Sequence, residues 1–130
     1  MKIAVVGLGK MGMQIARKLA ESEHTIIAHN RSKEPIDEAV GYGAIGAQTK
    51  QDVINAFGTE RVVVWLMITA SAMDEQLYEW IDILPKDSII VDGGNSDYRK
   101  TKERAKLVTT KGLKYVDVGT SGGVHGVKNR

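Results

Sequence analysis

The 130-residue chain contains no cysteine. That excludes a disulfide framework and thiolate chemistry, and it fits a reducing compartment. Two prolines and an aromatic content of 5% leave no low-complexity stretch and no interdomain linker. No basic run with interleaved aromatics occurs, and the net charge of +2 is too small to argue for nucleic acid or a membrane surface as partner. No segment approaches about 18 consecutive apolar residues, so none reads as a membrane span. The first apolar strand begins at Lys2, which is read as leaving no room for a signal peptide. The expectation is a cytoplasmic protein. What remains is ordinary for a globular domain: 42% apolar and 26% charged residues. The length fits a single domain, 1–130, able to bury about two-thirds of its unfolded surface.

Glycine is plentiful, with 14 residues, and it concentrates where apolar runs end. The run Lys2–Val6 leads straight into Gly7-Leu8-Gly9-Lys10-Met11-Gly12, and a helical pattern follows to about Ser22. This is G-x-G-x-x-G in a strand–turn–helix context. Gly7 permits the tight turn, Gly9 lets a pyrophosphate approach the backbone, and Gly12 lets the helix lie close to the sheet. The free N–H groups and the positive end of the helix then face the phosphates. The spacing places Met11, Ile15, Ala16 and Leu19 on one helix face.

The alternation continues along the chain. Strands are expected at His24–His29, Ala44–Ala47, Arg61–Met67, Ser88–Asp92 and Lys114–Val118. Helices are expected over Pro35–Tyr42, Lys50–Phe57, Ser71–Leu84 and Asp97–Lys111, with Thr49 and Ser96 as N-caps. The β-branched run in Arg61–Met67 reads as a strand buried on both faces, and Leu77, Trp80, Ile81 and Leu84 form a buried helix stripe. The charge-rich stretch Arg99–Lys106 reads as a solvated helix face. Six strands separated by helices predict an α/β fold, a Rossmann-type doubly wound and mostly parallel sheet.

The end of the second strand bears on the cofactor. A carboxylate about 20 residues after the glycines would bind the ribose 2′-hydroxyl of NAD. The sequence there is Ala28-His29-Asn30-Arg31-Ser32, with no acid. The planar fork of Arg31 suits the 2′-phosphate of NADP, Ser32 adds a donor, and Asn30 can bond ribose or adenine edges. NADP is therefore favoured over NAD. His29 reads as a packing residue.

Two further glycine turns, Asp92-Gly93-Gly94-Asn95-Ser96 and Gly119-Thr120-Ser121-Gly122-Gly123, follow the fifth and sixth strands. Carboxyl ends of strands are where open α/β sheets bind ligands. Asn95 can both donate and accept, and Ser121 with Gly122 and Gly123 offers a hydroxyl and open N–H groups for a carboxylate or phosphate.

In this order, Gly7–Gly12, Asn30-Arg31-Ser32, Asp92–Ser96 and Thr120–Val124 resemble the N-terminal domain of decarboxylating 6-phosphogluconate dehydrogenases, short bacterial type, over essentially the whole chain. The resemblance implies that Gly7, Leu8, Gly9, Lys10, Met11 and Gly12 bind the pyrophosphate of NADP. Asn30, Arg31 and Ser32 would take its adenosine end. Leu66, Met67 and Ile68 would pass beside the nicotinamide, although Ile68-Thr69-Ala70-Ser71 departs from the family's proline- and glycine-containing loop. Asn95 would contact cofactor and sugar acid, with Ser121, Gly122 and Gly123 at the substrate carboxylate. Family enzymes oxidise and decarboxylate 6-phosphogluconate to ribulose 5-phosphate without a metal. A lysine acts as base and then acid, and a glutamate assists the last protonation. Both belong to a C-terminal helical domain that the resemblance places beyond these 130 residues. The chain is therefore expected to be catalytically incomplete alone, with the sugar-acid phosphate as substrate of the full-length family and a homo-oligomer as an expected assembly. Two other readings stand beside this one: a β-hydroxyacid dehydrogenase-type domain, against which Asp92-Gly93-Gly94-Asn95 argues, and a non-catalytic NADP-binding or sensing module.

Overall fold

The computed structural model describes residues 1–94 and 98–118, apart from the side chain of Tyr98. Among these residues the element order is β1 (Lys2–Val6), α1 (Lys10–Ala20), β2 (Thr25–His29), α2 (Lys33–Gly41), β3 (Ile45–Ala47), α3 (Lys50–Phe57), β4 (Val63–Leu66), α4 (Ala70–Ile83), β5 (Ile89–Asp92), α5 (Tyr98–Thr110) and β6 (Lys114–Asp117). The strands form one sheet in the order β3-β2-β1-β4-β5-β6. All five pairings are parallel, so the sheet is wholly rather than mostly parallel. The chain steps outward from β1 to β3, then returns to the other side of β1 with β4. The strand order therefore reverses between β1 and β4, which opens a crevice at their carboxyl ends.

Two apolar layers follow from the period-2 alternation of the strands. On one face Ala4, Val6, Val64, Leu66 and Ile90 pack with Phe57, Leu77 and Trp80. On the other, Ile3, Val5, Ile26 and Ala28 pack with Ala16, Ile36 and Ala39. All four residues of β4 are buried, as its β-branched run requires of a central parallel strand. The α4 stripe of Leu77, Trp80, Ile81 and Leu84 is buried too.

The helix ends follow local chemistry. Thr49 and Asp52 make a capping box at the start of α3, with Asp52 N–H donating to Thr49 Oγ1 at 3.0 Å. Gly58 and Gly112, at φ +60° and +81°, end α3 and α5 in a conformation that glycine adopts at low cost. The first turn of α1 departs from expectation. Met11 is 58% exposed, and Gly12 and Ala16 are the buried residues. No helix among the described residues is long and apolar enough to cross a membrane.

Candidate functional site

The glycine loop between β1 and α1 is held in place by close backbone approaches. Gly7 has φ +93°, and a Cβ there would lie 2.2 Å from the Met67 carbonyl oxygen. A Cβ on Gly12 would lie 1.9 Å from the Gly7 carbonyl oxygen. These two glycines serve packing. Gly9 differs: among the described residues, its own chain neighbours aside, no atom lies within 4 Å of where its Cβ would be, so the space beside it is open. Gly9 is also the N-cap of α1, with no side chain capping the helix and no acid in its first turn. Helix geometry leaves the amides of the first turn without intrahelical acceptors. An anion set against Gly9 would meet these donors and the positive end of the helix dipole. The residues present thus fit the pyrophosphate of a dinucleotide.

Asn30 ties this loop to the end of β2. Its Oδ1 accepts the Leu8 N–H at 2.9 Å, and its Nδ2 donates weakly to the Ser32 carbonyl at 3.4 Å. The Gly7 N–H donates to the His29 carbonyl at 3.0 Å. The Asn30 amide therefore shapes the loop, and the Leu8 N–H is already used. Ser32 is the N-cap of α2, and its hydroxyl makes no capping bond.

A cleft of about 530 Å³ opens beside the loop. The end of β2, the residues entering α3 and the start of α4 line it. Arg31 and Lys50 put two cations on its wall, and no carboxylate is among its described lining residues. Lys50 is ion-paired to Glu79 at 3.2 Å and sits 5.7 Å over the Trp80 ring. Arg31 is exposed at the rim. His29 forms part of the floor, with Nδ1 2.9 Å from the Ala47 carbonyl and its ring edge-on to Trp80 at 6.1 Å. Burial lowers its basicity, opposed by the Ala47 bond, and Lys50 lowers it further. His29 is a neutral packing residue, as its position at the strand end suggested.

The stretch after β4 divides its roles. The Leu66 side chain is fully buried, and its carbonyl accepts the Gly93 N–H at 2.9 Å. Met67 lies under the glycine loop, and Ile68 reaches the cleft wall. Asn95, Ser121, Gly122 and Gly123 lie outside the described residues, as does the Ser96 cap.

The residues just before Asn95 are described, and they include a feature that sequence reasoning missed. Asp92 is 1% exposed. Its Oδ1 accepts the Gly94 N–H at 2.9 Å, and its Oδ2 accepts the Tyr115 hydroxyl. Arg104 Nη1 lies 3.6 Å from the same Oδ2, while Arg104 Nε donates to Asp74 on α4 at 2.8 Å. Burial, then the bond to Asp92, pushes the Tyr115 hydroxyl's ionisation well upward, so it remains a donor. Arg104 is 3% exposed, the one charged position of Arg99–Lys106 that departs from an otherwise exposed face. One position of that stretch turns inward because two carboxylates, from α4 and β5, await it. The sequence shows Asp92 at a strand end and Arg99 and Arg104 on a later helix, five places apart, and no spacing in it pairs Asp92 with Arg104.

A six-stranded, wholly parallel sheet with an anion-ready glycine loop at its switch point defines a dinucleotide-binding domain of the Rossmann class. A family model described as the NAD binding domain of 6-phosphogluconate dehydrogenase matches residues 2–130, and the chain belongs to that family. The decarboxylating 6-phosphogluconate dehydrogenase of Ceratitis capitata is 32% identical over 132 residues, which take in 98% of this chain and 27% of that protein. The NAD(+)-dependent decarboxylating enzyme of Haloferax volcanii is 33% identical over 129 residues, 98% of this chain and 42% of that protein. Among solved structures, Plasmodium falciparum 6-phosphogluconate dehydrogenase, reported with NADP+ and with 6-phosphogluconate, superposes with a TM-score of 0.74 at 26% identity. That match covers 88% of this chain and 26% of that one. The chain thus spans less than half the length of these relatives.

Proposed function

We propose that this chain is the NADP-binding part of an oxidoreductase that oxidises and decarboxylates 6-phosphogluconate to ribulose 5-phosphate. The observation that carries the cofactor choice is Arg31, exposed on the rim of a cleft with no carboxylate among its described lining residues. A 2′-phosphate brings about two negative charges, which an arginine fork receives and a carboxylate would repel. In this reading the amides of the first α1 turn and the open side of Gly9 take the pyrophosphate. Lys10 and Met11 flank it, and the unused Ser32 hydroxyl supports Arg31. The nicotinamide, when bound, accepts a hydride from the substrate. Met67 and Ile68 would set the position of its ring edge. Asn95, Ser121, Gly122 and Gly123 are assigned to the sugar acid. The lysine and glutamate that move protons are assigned to the part of the whole protein outside these 130 residues.

The test is a calorimetric titration of NADP and NAD into the chain. NADP should bind at least about tenfold more tightly, the effect of one or two charge-assisted hydrogen bonds. Arg31→Ala should remove most of that difference while leaving NAD affinity nearly unchanged. Equal affinities in the unaltered chain would overturn the choice of NADP and favour NAD, the cofactor in the name of the Haloferax volcanii relative.

A further inference from the structure

We propose that Asp92 and Tyr115, braced by Arg104, are positioning residues for the nicotinamide half of the dinucleotide. The proposal rests on the dinucleotide reading above and assigns work to a buried cluster that the reading does not use.

The cluster is costly unless it has a purpose in place. A carboxylate and a guanidinium at 1% and 3% exposure have given up most of their hydration. Their geometry fixes one thing above all, the turn after β5. Asp92 Oδ1 holds the Gly94 N–H at 2.9 Å, while the Tyr115 hydroxyl and Arg104 hold the other oxygen, so the carboxylate has no freedom to rotate. The turn it holds is packed without slack. A Cβ on Gly93 would lie 2.3 Å from Met67 Sδ, and one on Gly94 would lie 3.2 Å from the Ile68 carbonyl oxygen. Met67 in turn supports the glycine loop, with its Cβ 3.3 Å from a Cβ built on Gly12 and its carbonyl against Gly7.

A continuous strip of tight contacts therefore runs from Tyr115 through Asp92, the Gly93–Gly94 turn and Met67 to the pyrophosphate loop. It lies on the β4–β5 side of the switch point. The cations of the cleft, Arg31 and Lys50, lie toward β2 and α3, and of the strip only Ile68 reaches the cleft wall. A dinucleotide bent over the glycine loop puts its adenosine on one side and its nicotinamide on the other. Loosening the Asp92 cluster should thus be felt more by the nicotinamide half than by the adenosine half, which Arg31 anchors from the end of β2.

The experiment compares two ligands on the 130-residue chain: NADPH, and 2′-phospho-ADP-ribose, which is the same molecule without the nicotinamide ring. Tyr115→Phe keeps the ring and removes only the hydroxyl. Its NADPH affinity should fall about three- to tenfold, the effect of one hydrogen bond, with 2′-phospho-ADP-ribose changed less than about twofold. Asp92→Asn, which keeps the shape and the bond to Gly94, should show the same split. Retained binding of 2′-phospho-ADP-ribose reports that each variant is folded. Unchanged affinity for both ligands would overturn the proposal, and so would an equal loss for both, which would mark the cluster as general support for the fold. Failure of the unaltered chain to bind either ligand would overturn the dinucleotide reading itself, and the proposal with it.

Discussion

At the scale of the residue, the glycine loop separates two demands that one motif makes. Gly7 and Gly12 are required by the protein's own backbone, and Gly9 by what binds beside it. Gly12→Ala forces a methyl to within 1.9 Å of a carbonyl oxygen that no rotamer change can move. It should destabilise the chain by about 2–3 kcal/mol or more, visible as a lower denaturant midpoint. Gly9→Ala adds a methyl into open space at an extended residue, φ −70° and ψ −169°, that alanine tolerates. Stability should change by less than about 1 kcal/mol, while dinucleotide affinity falls about tenfold or more because the phosphates can no longer approach. Equal destabilisation by both substitutions would show that Gly9 is structural. The sequence displayed all three glycines, but the division of labour depends on Met67, some sixty positions away, and no spacing rule contains it. Asn30 teaches the same lesson. The sequence points its amide at the nucleotide, and the fold adds a partner that no spacing predicts, the Leu8 N–H at 2.9 Å.

At the scale of the element, the strands were the most legible part. Continuous β-branched runs such as Val62-Val63-Val64 admit little besides a buried parallel strand, and every expected strand is present. The helix faces were less legible, because a face is defined by what lies opposite. In α5 the charge-rich stretch Arg99–Lys106 reads as a solvated face, and Arg104 is the charged position that departs from it. Only the packed sheet reveals that Arg104 meets Asp74, 30 positions away, and Asp92. This makes α5 asymmetric in energy. Arg104→Ala leaves the Asp92 carboxylate buried beside an empty space and should cost about 3–5 kcal/mol. Lys102→Ala, on the exposed side of the same helix, should change stability by no more than about 0.5 kcal/mol. Urea denaturation of the two variants measures the difference, and similar midpoints would show that Arg104 belongs with the solvated positions of α5.

At the scale of the whole molecule, one hydrogen-bonded sheet joins all six strands and separates two apolar layers. Neither layer can open without exposing the strands shared with the other, so the described residues should unfold as one cooperative unit with a single pH-dependent stability. Two groups with lowered pKa shape that dependence. His29 is held below its ordinary 6.5 chiefly by burial. Asp74 is held below 3.8 chiefly by its hydrogen bond from Arg104. In both cases the unfolded chain takes up a proton more readily than the folded one, so stability rises with pH across the interval between folded and unfolded values. Falling pH should therefore weaken the fold in two stages, first below about 6.5 as unfolded His29 protonates, then below about 3.8 as unfolded Asp74 does. Melting temperatures measured from about pH 8 down to about pH 3 would trace both descents. His29→Asn keeps a donor for the Ala47 carbonyl but cannot titrate, so it should flatten the first descent and leave the second in place. An unchanged slope between about pH 7 and about pH 5 in that variant would show that His29 does not enter the folded core as a neutral ring.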